Sequence, residues 1–227
     1  MQRKALWLAA AGAMSVIGVA GCATMQPDPK HMTFFITSAG PGKGGDLGGL
    51  EGADRHCQSL AQAAGAGHRT WRAYLSTQAA TLAGKDFVNA RDRIGPGPWH
   101  NIKGKRIARN VDELHSPDSG LNKQTALDEK GQMVHGRTEK PNKHDILTGS
   151  RPDGTAFPGK PFPDMTCGNW TKGGDDGAAM TGHHDRVGPT EANWAVSWNS
   201  AHPTLGCSME KIRPTGGEGL FYCFAEK

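Results

Sequence analysis

The sequence predicts an α+β fold, in which one helix and several short strands are joined by long loops. Small and apolar residues recur at helical spacing over residues 51–64, which predicts one helix. Runs rich in aromatic and β-branched residues predict a first strand at residues 33–37 and a closing strand at residues 220–224. The 227 residues also include 32 Gly and 14 Pro, which favours long loops over a helical bundle. A strand, a helix and then further strands are typical of an α+β fold.

The predicted helix has one apolar face and a defined end. Ala53, Cys57, Leu60 and Ala64 share one side of a helix at this spacing, so we expect this side to pack on the core. Gly65 can end the helix, because glycine readily adopts the left-handed conformation found just beyond a helix. This prediction places Cys57 in the core, where a disulfide can form.

The rest of the chain alternates between short strand patterns and loops. Residues 71–76 alternate like a half-buried strand, and residues 146–149 and 195–198 predict two further strands. Residues 40–49 form a glycine-rich loop that lacks the residue order of a phosphate-binding loop. Residues 121–144 are polar and have no clear period, so we expect them to lie outside the core.

Composition and charge exclude several classes of protein. The mean hydropathy of −0.56 excludes a multispan membrane protein. The net charge is +4, and removing the two N-terminal charges of Arg3 and Lys4 leaves +2, which gives no indication of nucleic-acid binding. One basic cluster could be either a polyanion site or a solvated face, and the lack of interleaved aromatic residues favours the solvated face. This cluster comprises Lys103, Lys105, Arg106 and Arg109.

The first residues resemble the export signal of bacterial lipoproteins. Arg3 and Lys4 precede an uncharged run over residues 5–20, which has the length of a signal-peptide core. Residues 19–22 read Val-Ala-Gly-Cys and resemble a lipobox, which implies that Cys22 carries a diacylglycerol after cleavage. The alternative is an ordinary signal peptide with an incidental cysteine.

This resemblance divides the chain into three parts and implies a location. We expect a signal peptide at residues 1–21, a lipidated tether at residues 22–32 and a folded domain at residues 33–227. Ala23 follows the lipidated cysteine, which resembles lipoproteins that are sorted to an outer membrane. The expected location is therefore the bacterial cell envelope, on the outer membrane, with the lipid on Cys22 as the anchor.

The cysteine count predicts two disulfides in the folded domain. Once Cys22 is assigned to lipid, Cys57, Cys167, Cys207 and Cys223 remain. An exported chain matures in an oxidising compartment, so an even number of remaining cysteines indicates disulfides. Four cysteines allow three pairings, and the spacing does not choose among them. No two of them form a C-x-x-C pair, which argues against a zinc site or a redox pair of that type.

Five stretches of the sequence, taken in order, resemble the endostatin-like domain of certain collagens and its bacterial relatives. They are GLEGADRHC (49–57), WRAYLS (71–76), LTGSRPDG (147–154), TCGNW (166–170) and FYC (221–223). The resemblance spans roughly residues 33–227 and implies a C-type lectin-like fold. It also implies an outer disulfide between Cys57 and Cys223 and an inner one between Cys167 and Cys207.

The metal sites of such proteins do not carry over to this sequence. Sugar-binding C-type lectins hold Ca²⁺ with a Gln-Pro-Asp or Glu-Pro-Asn triplet and a later Trp-Asn-Asp. Here Trp198 and Asn199 are followed by Ser200, and the only Gln-Pro-Asp, at residues 26–28, lies in the tether. Endostatin-like domains hold zinc with an N-terminal histidine cluster, of which this chain has only His31. We therefore predict no metal and no cofactor.

One polar cluster in the last third of the chain stands out as a candidate site. His183, His184 and Asp185 are consecutive, but neighbours on a strand point to opposite faces, so the two histidines are not expected to bind one metal together. Ser200 with His184 and Asp185 supplies the residue types of a hydrolase, yet no G-x-S-x-G turn is present, and no enzyme is predicted. The candidate ligand-binding residues are Trp170, His183, His184, Asp185, Trp194, Asn199 and His202.

Three functions are compatible with these features. The favoured one is a lectin-like module that binds a glycan or a matrix-like polymer without calcium, for which an exposed Trp99, Trp170 or Trp194 would suit sugar stacking. The second is a structural envelope lipoprotein with no small ligand. The third is a metal-assisted enzyme, in which His183 or His184 would converge with Asp185 and His202 on one open point.

Overall fold

The computed structural model describes residues 28–226 and has the predicted α+β composition. The strands in these residues are Phe34–Ile36 (β1), Trp71–Ala73 (β2), Trp99–His100 (β3), Arg106–Ala108 (β4), Asp145–Leu147 (β5), Met180–His183 (β6), His202–Pro203 (β7) and Gly217–Ala225 (β8). The main helix is Gly49–Ala63 (α1), and Val111–Leu114 and Met209–Ile212 are single-turn helices. Short 3₁₀ helices occupy Pro29–His31, Ala90–Asp92 and Arg213–Thr215. The signal-peptide prediction and Cys22 fall outside the described residues.

Strand β8 is the centre of the main sheet. The sheet order is β1-β8-β5-β6-β7, and β2 also pairs with β8. The β5–β8 pair is parallel, whereas β1, β2 and β6 pair antiparallel with their neighbours. Strands β3 and β4 form a separate two-stranded sheet. The closing strand predicted from the sequence therefore organises the whole fold.

The sheet separates two hydrophobic clusters, as the alternation of side chains along a strand requires. Phe35 and Cys223 face the cluster that packs against α1. Phe34, Tyr222 and Phe224 face the other cluster, which also contains the rings of Tyr74, Trp99 and Trp198. Both faces of the central strands are thus buried, which explains why their sequences read as continuous apolar runs.

Helix α1 confirms the sequence prediction, with one difference on its buried face. Its buried residues are Ala53, Cys57 and Ala61, while Leu60 and Ala64 are only partly buried at its edge. The chain leaves the helix at Gly65, whose φ of +85° is the left-handed conformation expected there.

The two predicted disulfides are present with the pairing that the resemblance implies. Cys57 bonds Cys223 and so ties α1 to β8, with Cα atoms 5.7 Å apart. Cys167 bonds Cys207, also with a Cα separation of 5.7 Å.

Three local predictions were wrong. Residues 195–198 form turns instead of a strand. The carbonyl groups of Ala195 and Ser197 accept from the ring and the backbone N–H of His183 at the end of β6, without the register of a paired strand. Residues 121–144 are not outside the core, since Leu121, Ala126 and Val134 are buried in the second cluster. Trp99 and Trp170 are fully buried, so neither ring is available for stacking on a sugar.

The folded part of the chain begins before the predicted domain boundary. Met32 is fully buried, and the backbone N–H of Asp28 donates to the carbonyl of Ile102. The last residues of the predicted tether therefore pack on the domain. Among the described helices, none has the length and apolar character needed to cross a membrane.

Candidate functional site

Histidine and aspartate side chains meet at one end of strands β5, β6 and β7. His144 precedes β5, Asp145 begins it, His183 ends β6 and His202 begins β7. Strand pairing brings them together, because Asp145 lies opposite His183 in the β5–β6 register. Strand β7 joins at the same end, with His202 opposite Thr181. We refer to His144, Asp145, His183 and His202 as the histidine–aspartate cluster.

Three imidazole rings surround one carboxylate oxygen in this cluster. Oδ1 of Asp145 lies 3.1 Å from Nε2 of His144 and 3.3 Å from Nε2 of His183. The same oxygen lies 3.5 Å from Nε2 of His202. The ring of His183 stacks on that of His144, with centroids 4.2 Å apart, and meets the ring of His202 edge-on at 5.0 Å. The arrangement therefore places three imidazole nitrogens around one carboxylate oxygen, and the donor atoms of His144, Asp145 and His183 lie within 4.8 Å of one another.

The cluster is buried, and its carboxylate has no hydrogen-bond donor. His144, Asp145 and His183 are almost completely buried, whereas the side chain of His202 is 30% exposed. The distances alone would permit ion pairs, but no described group donates to either oxygen of Asp145 with hydrogen-bond geometry, and Nε2 of His183 is also unpartnered. A hydrogen bond weakens steeply when its donor is misaligned, so these short distances do not satisfy the carboxylate. Buried carboxylates are normally paired, so Asp145 lacks the hydrogen-bond partner that its burial requires among the described residues.

Contacts on the outer side of the cluster fix the orientation of each ring. Nδ1 of His183 donates to the carbonyl oxygen of Ala195 at 2.7 Å, and Nδ1 of His202 lies 3.1 Å from the carbonyl oxygen of Pro203. A carbonyl oxygen only accepts, so in each neutral ring the proton is on Nδ1. The lone pair of Nε2 then points into the cluster in both histidines.

Asp185 fixes the third ring in the same way. Its Oδ1 lies 3.3 Å from Nδ1 of His144. Burial by itself would raise the pKa of Asp185, but hydrogen bonds from His144 and from the backbone N–H groups of Arg137 and Val187 lower it to about 2. Asp185 is therefore ionised and accepts a hydrogen bond from the Nδ1–H group of His144. Its role is to orient a member of the cluster from outside.

His184 points away from the cluster, as the alternation of neighbouring side chains predicts. Its Nε2 lies 3.1 Å from the carbonyl oxygen of His135, and burial lowers its pKa to about 4, so the ring is neutral. The sequence-based hypothesis had His183 or His184 converging with Asp185 and His202 on one open point. In the structure, His183 and His202 instead meet His144 and Asp145, and the meeting point is buried.

The other predicted site residues are not part of this cluster. Asn199 is buried, and its amide donates to the hydroxyl of Tyr74 and to the carbonyl of Arg151, which is a structural role. Trp170 is buried, and its indole N–H donates to the carbonyl of Ser76. Trp194 is 52% exposed, so its ring is at the surface.

A groove of about 740 Å³ lies elsewhere on the surface and shares no residue with the cluster. Residues 78–80 and 159–164 form its walls, and Thr166, Gly168, Asn169 and Lys172 complete its lining. Phe162 is 38% exposed at the wall and stacks on Phe157 with centroids 5.4 Å apart. Cavities of this volume accommodate small molecules, so the groove is a candidate ligand site.

The backbone beside the groove is held in an unusual conformation. Cys167, Gly168, Asn169 and Trp170 are consecutive residues with positive φ values, between 47° and 68°. A left-handed conformation costs about 1–2 kcal/mol for each non-glycine residue, so surrounding contacts must hold it. The disulfide of Cys167 provides one such contact. Strained backbone of this kind is characteristic of functional sites.

Two members of the cluster were not identified from the sequence. His144 and Asp145 directly precede the β5 pattern, and a His-Asp pair at the start of a buried strand was the only local signal. Their importance depends on strand pairing that the sequence alone does not define.

Comparisons with known proteins add no assignment. No protein-family model matches the sequence, and no curated protein matches it.

Proposed function

We propose that this chain is a lectin-like binding module of the bacterial cell envelope, held to the outer membrane by a lipid on Cys22. The observation that carries the binding role is the groove of about 740 Å³ beside the left-handed turn. The proposed ligand is a glycan or a matrix-like polymer. The proposal includes a C-type lectin-like fold, which is supported by the two nested disulfides and the α+β composition.

Hydrogen bonds join the walls of the groove, which favours binding because little order has to be created when a ligand enters. The side-chain amide of Gln78 donates to the carbonyls of Pro158 and Pro163, and so joins the two walls. Oδ1 of Asn169 accepts from the backbone N–H of Gln78 at 2.8 Å, and its amide donates back to the carbonyl of Gln78 at 3.1 Å. These bonds tie the left-handed turn to the opposite wall.

The groove offers both apolar and charged contacts to a ligand. Phe162 and the neighbouring prolines supply apolar surface. Lys160 and Lys172 line the groove, and within residues 28–226 neither forms an ion pair. An aromatic edge beside hydrogen-bond donors suits a sugar ring, which has apolar faces and polar rims.

A glycan array tests this proposal. The chain from Ala23 onward is screened with and without a chelator, together with Lys172→Glu and Phe162→Ala. Binding that is lost in both variants and kept in Lys103→Glu, an exposed lysine outside the groove, supports the proposed site.

Two outcomes of the array would contradict the proposal. Binding that survives both groove substitutions would place the ligand elsewhere, with the exposed Trp194 as the next position to replace. Failure to bind any glycan would contradict the lectin-like role and favour a structural envelope lipoprotein.

A further inference from the structure

We propose that His144, Asp145 and His183 bind one Zn²⁺ ion, and that His202 turns inward to complete a tetrahedral site. This inference is independent of the groove and its ligand. It reverses the sequence-based prediction that the chain has no metal site.

The spacing of the donor atoms is that of ligands around a zinc ion. Zinc lies about 2.0–2.1 Å from imidazole nitrogens and about 2.0–2.2 Å from carboxylate oxygens, so tetrahedral ligands are separated by about 3.3 Å. Oδ1 of Asp145 lies 3.1, 3.3 and 3.5 Å from the Nε2 atoms of His144, His183 and His202. One donor atom each of His144, Asp145 and His183 lies within 4.8 Å of the other two, so these three side chains need little movement to receive the ion. His202 lies 3.5 Å from the same carboxylate oxygen but outside this group, so its ring has to turn toward the ion.

The unpartnered atoms of the cluster are the ones that a zinc ion would bind. Neither oxygen of Asp145 receives a hydrogen bond from the described residues, and Nε2 of His183 has no partner. If His144 were protonated on both nitrogens, its Nε2–H could donate to one oxygen of Asp145. The other oxygen and Nε2 of His183 would still have no partner. A divalent cation between the four side chains satisfies the carboxylate and all three nitrogens together.

The outer contacts prepare the histidines for this role. In metal sites the imidazole nitrogen that does not bind the ion usually donates to a carboxylate or to a backbone carbonyl. Here Nδ1 of His144 faces the carboxylate of Asp185 at 3.3 Å, and Nδ1 of His183 faces the carbonyl of Ala195 at 2.7 Å. Both Nε2 lone pairs are therefore directed inward before any metal arrives.

The donor set selects zinc over the common hard cations. Ca²⁺ takes six to eight oxygen ligands and Mg²⁺ prefers octahedral oxygen, whereas this cluster has three nitrogens and one carboxylate. Imidazole favours zinc and other late first-row metals. The site therefore differs in residues and in chemistry from the calcium site that the sequence lacks.

With His202 as the fourth ligand the site is structural in character, because four protein ligands leave no position for a reacting water. It joins β5, β6 and the two-residue edge strand β7. His202 is the only partly exposed member, so the ion enters and leaves from its side. Zinc thereby fixes the edge of the sheet.

Metal analysis and titration of the full chain test the proposal. The chain purified without added metal is expected to contain about one zinc per molecule, and the chelator-treated chain is expected to bind Co²⁺ with the intense visible absorption of a tetrahedral site. His202→Ala is the primary variant. His202 is partly exposed, so its replacement disturbs the fold less than replacement of a buried member would. It is expected to abolish the tetrahedral Co²⁺ spectrum.

Two further variants separate ligands from neighbours. Asp185→Asn is expected to lower zinc affinity by about 10- to 100-fold, the usual effect of losing a carboxylate that orients a ligand. His68→Ala removes an exposed histidine outside the cluster and is expected to leave affinity unchanged. The proposal is overturned if the chelator-treated chain binds neither Zn²⁺ nor Co²⁺ while its circular dichroism spectrum shows that it is folded. Unchanged affinity in His202→Ala would also overturn it.

Discussion

Two largely buried aspartates, Asp54 and Asp145, have opposite surroundings in this molecule. Asp54 lies on α1, and its side chain is 13% exposed. Its Oδ1 accepts from the backbone N–H of Ala73 at 2.9 Å, and both of its oxygens accept from Arg93, at 2.9 and 2.7 Å. Arg72 adds a further bond to Oδ2 at 3.0 Å. The charge of Asp54 is therefore neutralised entirely by the chain itself.

Within residues 28–226, Asp145 has neither an arginine nor a backbone N–H bonded to it. Its neighbours are imidazole nitrogens, and those of His183 and His202 carry lone pairs directed toward it once Nδ1 holds the proton. The comparison shows that burial of a carboxylate does not by itself define its role. The positive partner does, and at Asp145 the proposed zinc ion would supply it.

The largest expected effect on the free energy of unfolding comes from removing the disulfides. Each disulfide can be related to one of these aspartates through the chain. Cys57 is on the same helix as Asp54, and Cys207 follows β7 of the cluster. Replacing Cys57 and Cys223 by alanine removes a link across 166 residues and is expected to lower the free energy of unfolding by about 5 kcal/mol in the chain-entropy view. The inner link spans 40 residues, and its loss is expected to cost about 4 kcal/mol.

Urea unfolding with and without zinc measures both effects. Because the inner link anchors the segment that carries β7, its removal is expected to weaken zinc binding as well, whereas removal of the outer link is not. Equal zinc affinity in the two double variants would show that the cluster does not depend on this anchor.

The next effect tests the paired aspartate. Asp54→Ala leaves Arg93, 11% exposed, without its carboxylate partner and with only the carbonyl of Ala73 as an acceptor among the described residues, and is expected to lower the free energy of unfolding by about 3 kcal/mol. Since no metal is involved, chelator treatment should not change this loss in thermal or urea unfolding. Glu51→Ala, which removes the exposed pair with Arg55, is the matched control and is expected to cost less than about 0.5 kcal/mol. A similar loss in both variants would contradict the special role of Asp54.

Replacing the unpaired Asp145 is expected to change the free energy of unfolding in opposite directions in chelator and in zinc. In chelator, Asp145→Asn removes a buried charge that has no partner, and its amide can donate to an imidazole nitrogen, so the free energy of unfolding should rise by about 1–3 kcal/mol. In zinc the same variant loses a ligand and should be less stable than the parent chain. Thermal unfolding in both buffers measures this crossing. A variant that is less stable in both buffers would show that Asp145 is paired within the chain.

The smallest expected effect is at the surface beside the cluster. Trp194 precedes Ala195, whose carbonyl accepts from His183, but its own ring is 52% exposed. Trp194→Ala should change the free energy of unfolding and that of zinc binding by less than about 0.5 kcal/mol. Titration with zinc measures the binding change. A larger loss would mean that this ring supports the loop that holds His183.

Local patterns were reliable where one short segment carries the whole signal. Helical spacing identified α1, and glycine at residue 65 marked its end. The apolar run at residues 220–224 identified part of β8. The same reasoning failed at residues 195–198, where an apolar segment serves as a set of carbonyl acceptors for His183 instead of pairing as a strand.

The fate of individual side chains was less accessible to sequence reasoning. The sequence offered Trp99, Trp170 and Trp194 equally as rings that would suit stacking on a sugar if exposed. Of these three, only Trp194 is exposed. The exposure of each ring depends on which distant segments cover it. For the same reason Asn199 was predicted as a ligand-binding residue but donates to the buried hydroxyl of Tyr74.

By itself, the sequence determined the α+β composition, the main helix, the closing strand and the cysteines available for two disulfides, because each depends on local spacing or on simple counting. Only the tertiary structure brought His144 and Asp145 to His183 and His202, since the three segments meet through strand pairing across β5, β6 and β7. It also decided that Asp54 is paired and Asp145 is not. The electrostatic state of a buried carboxylate depends on groups that approach from distant parts of the chain, and no local pattern records that approach.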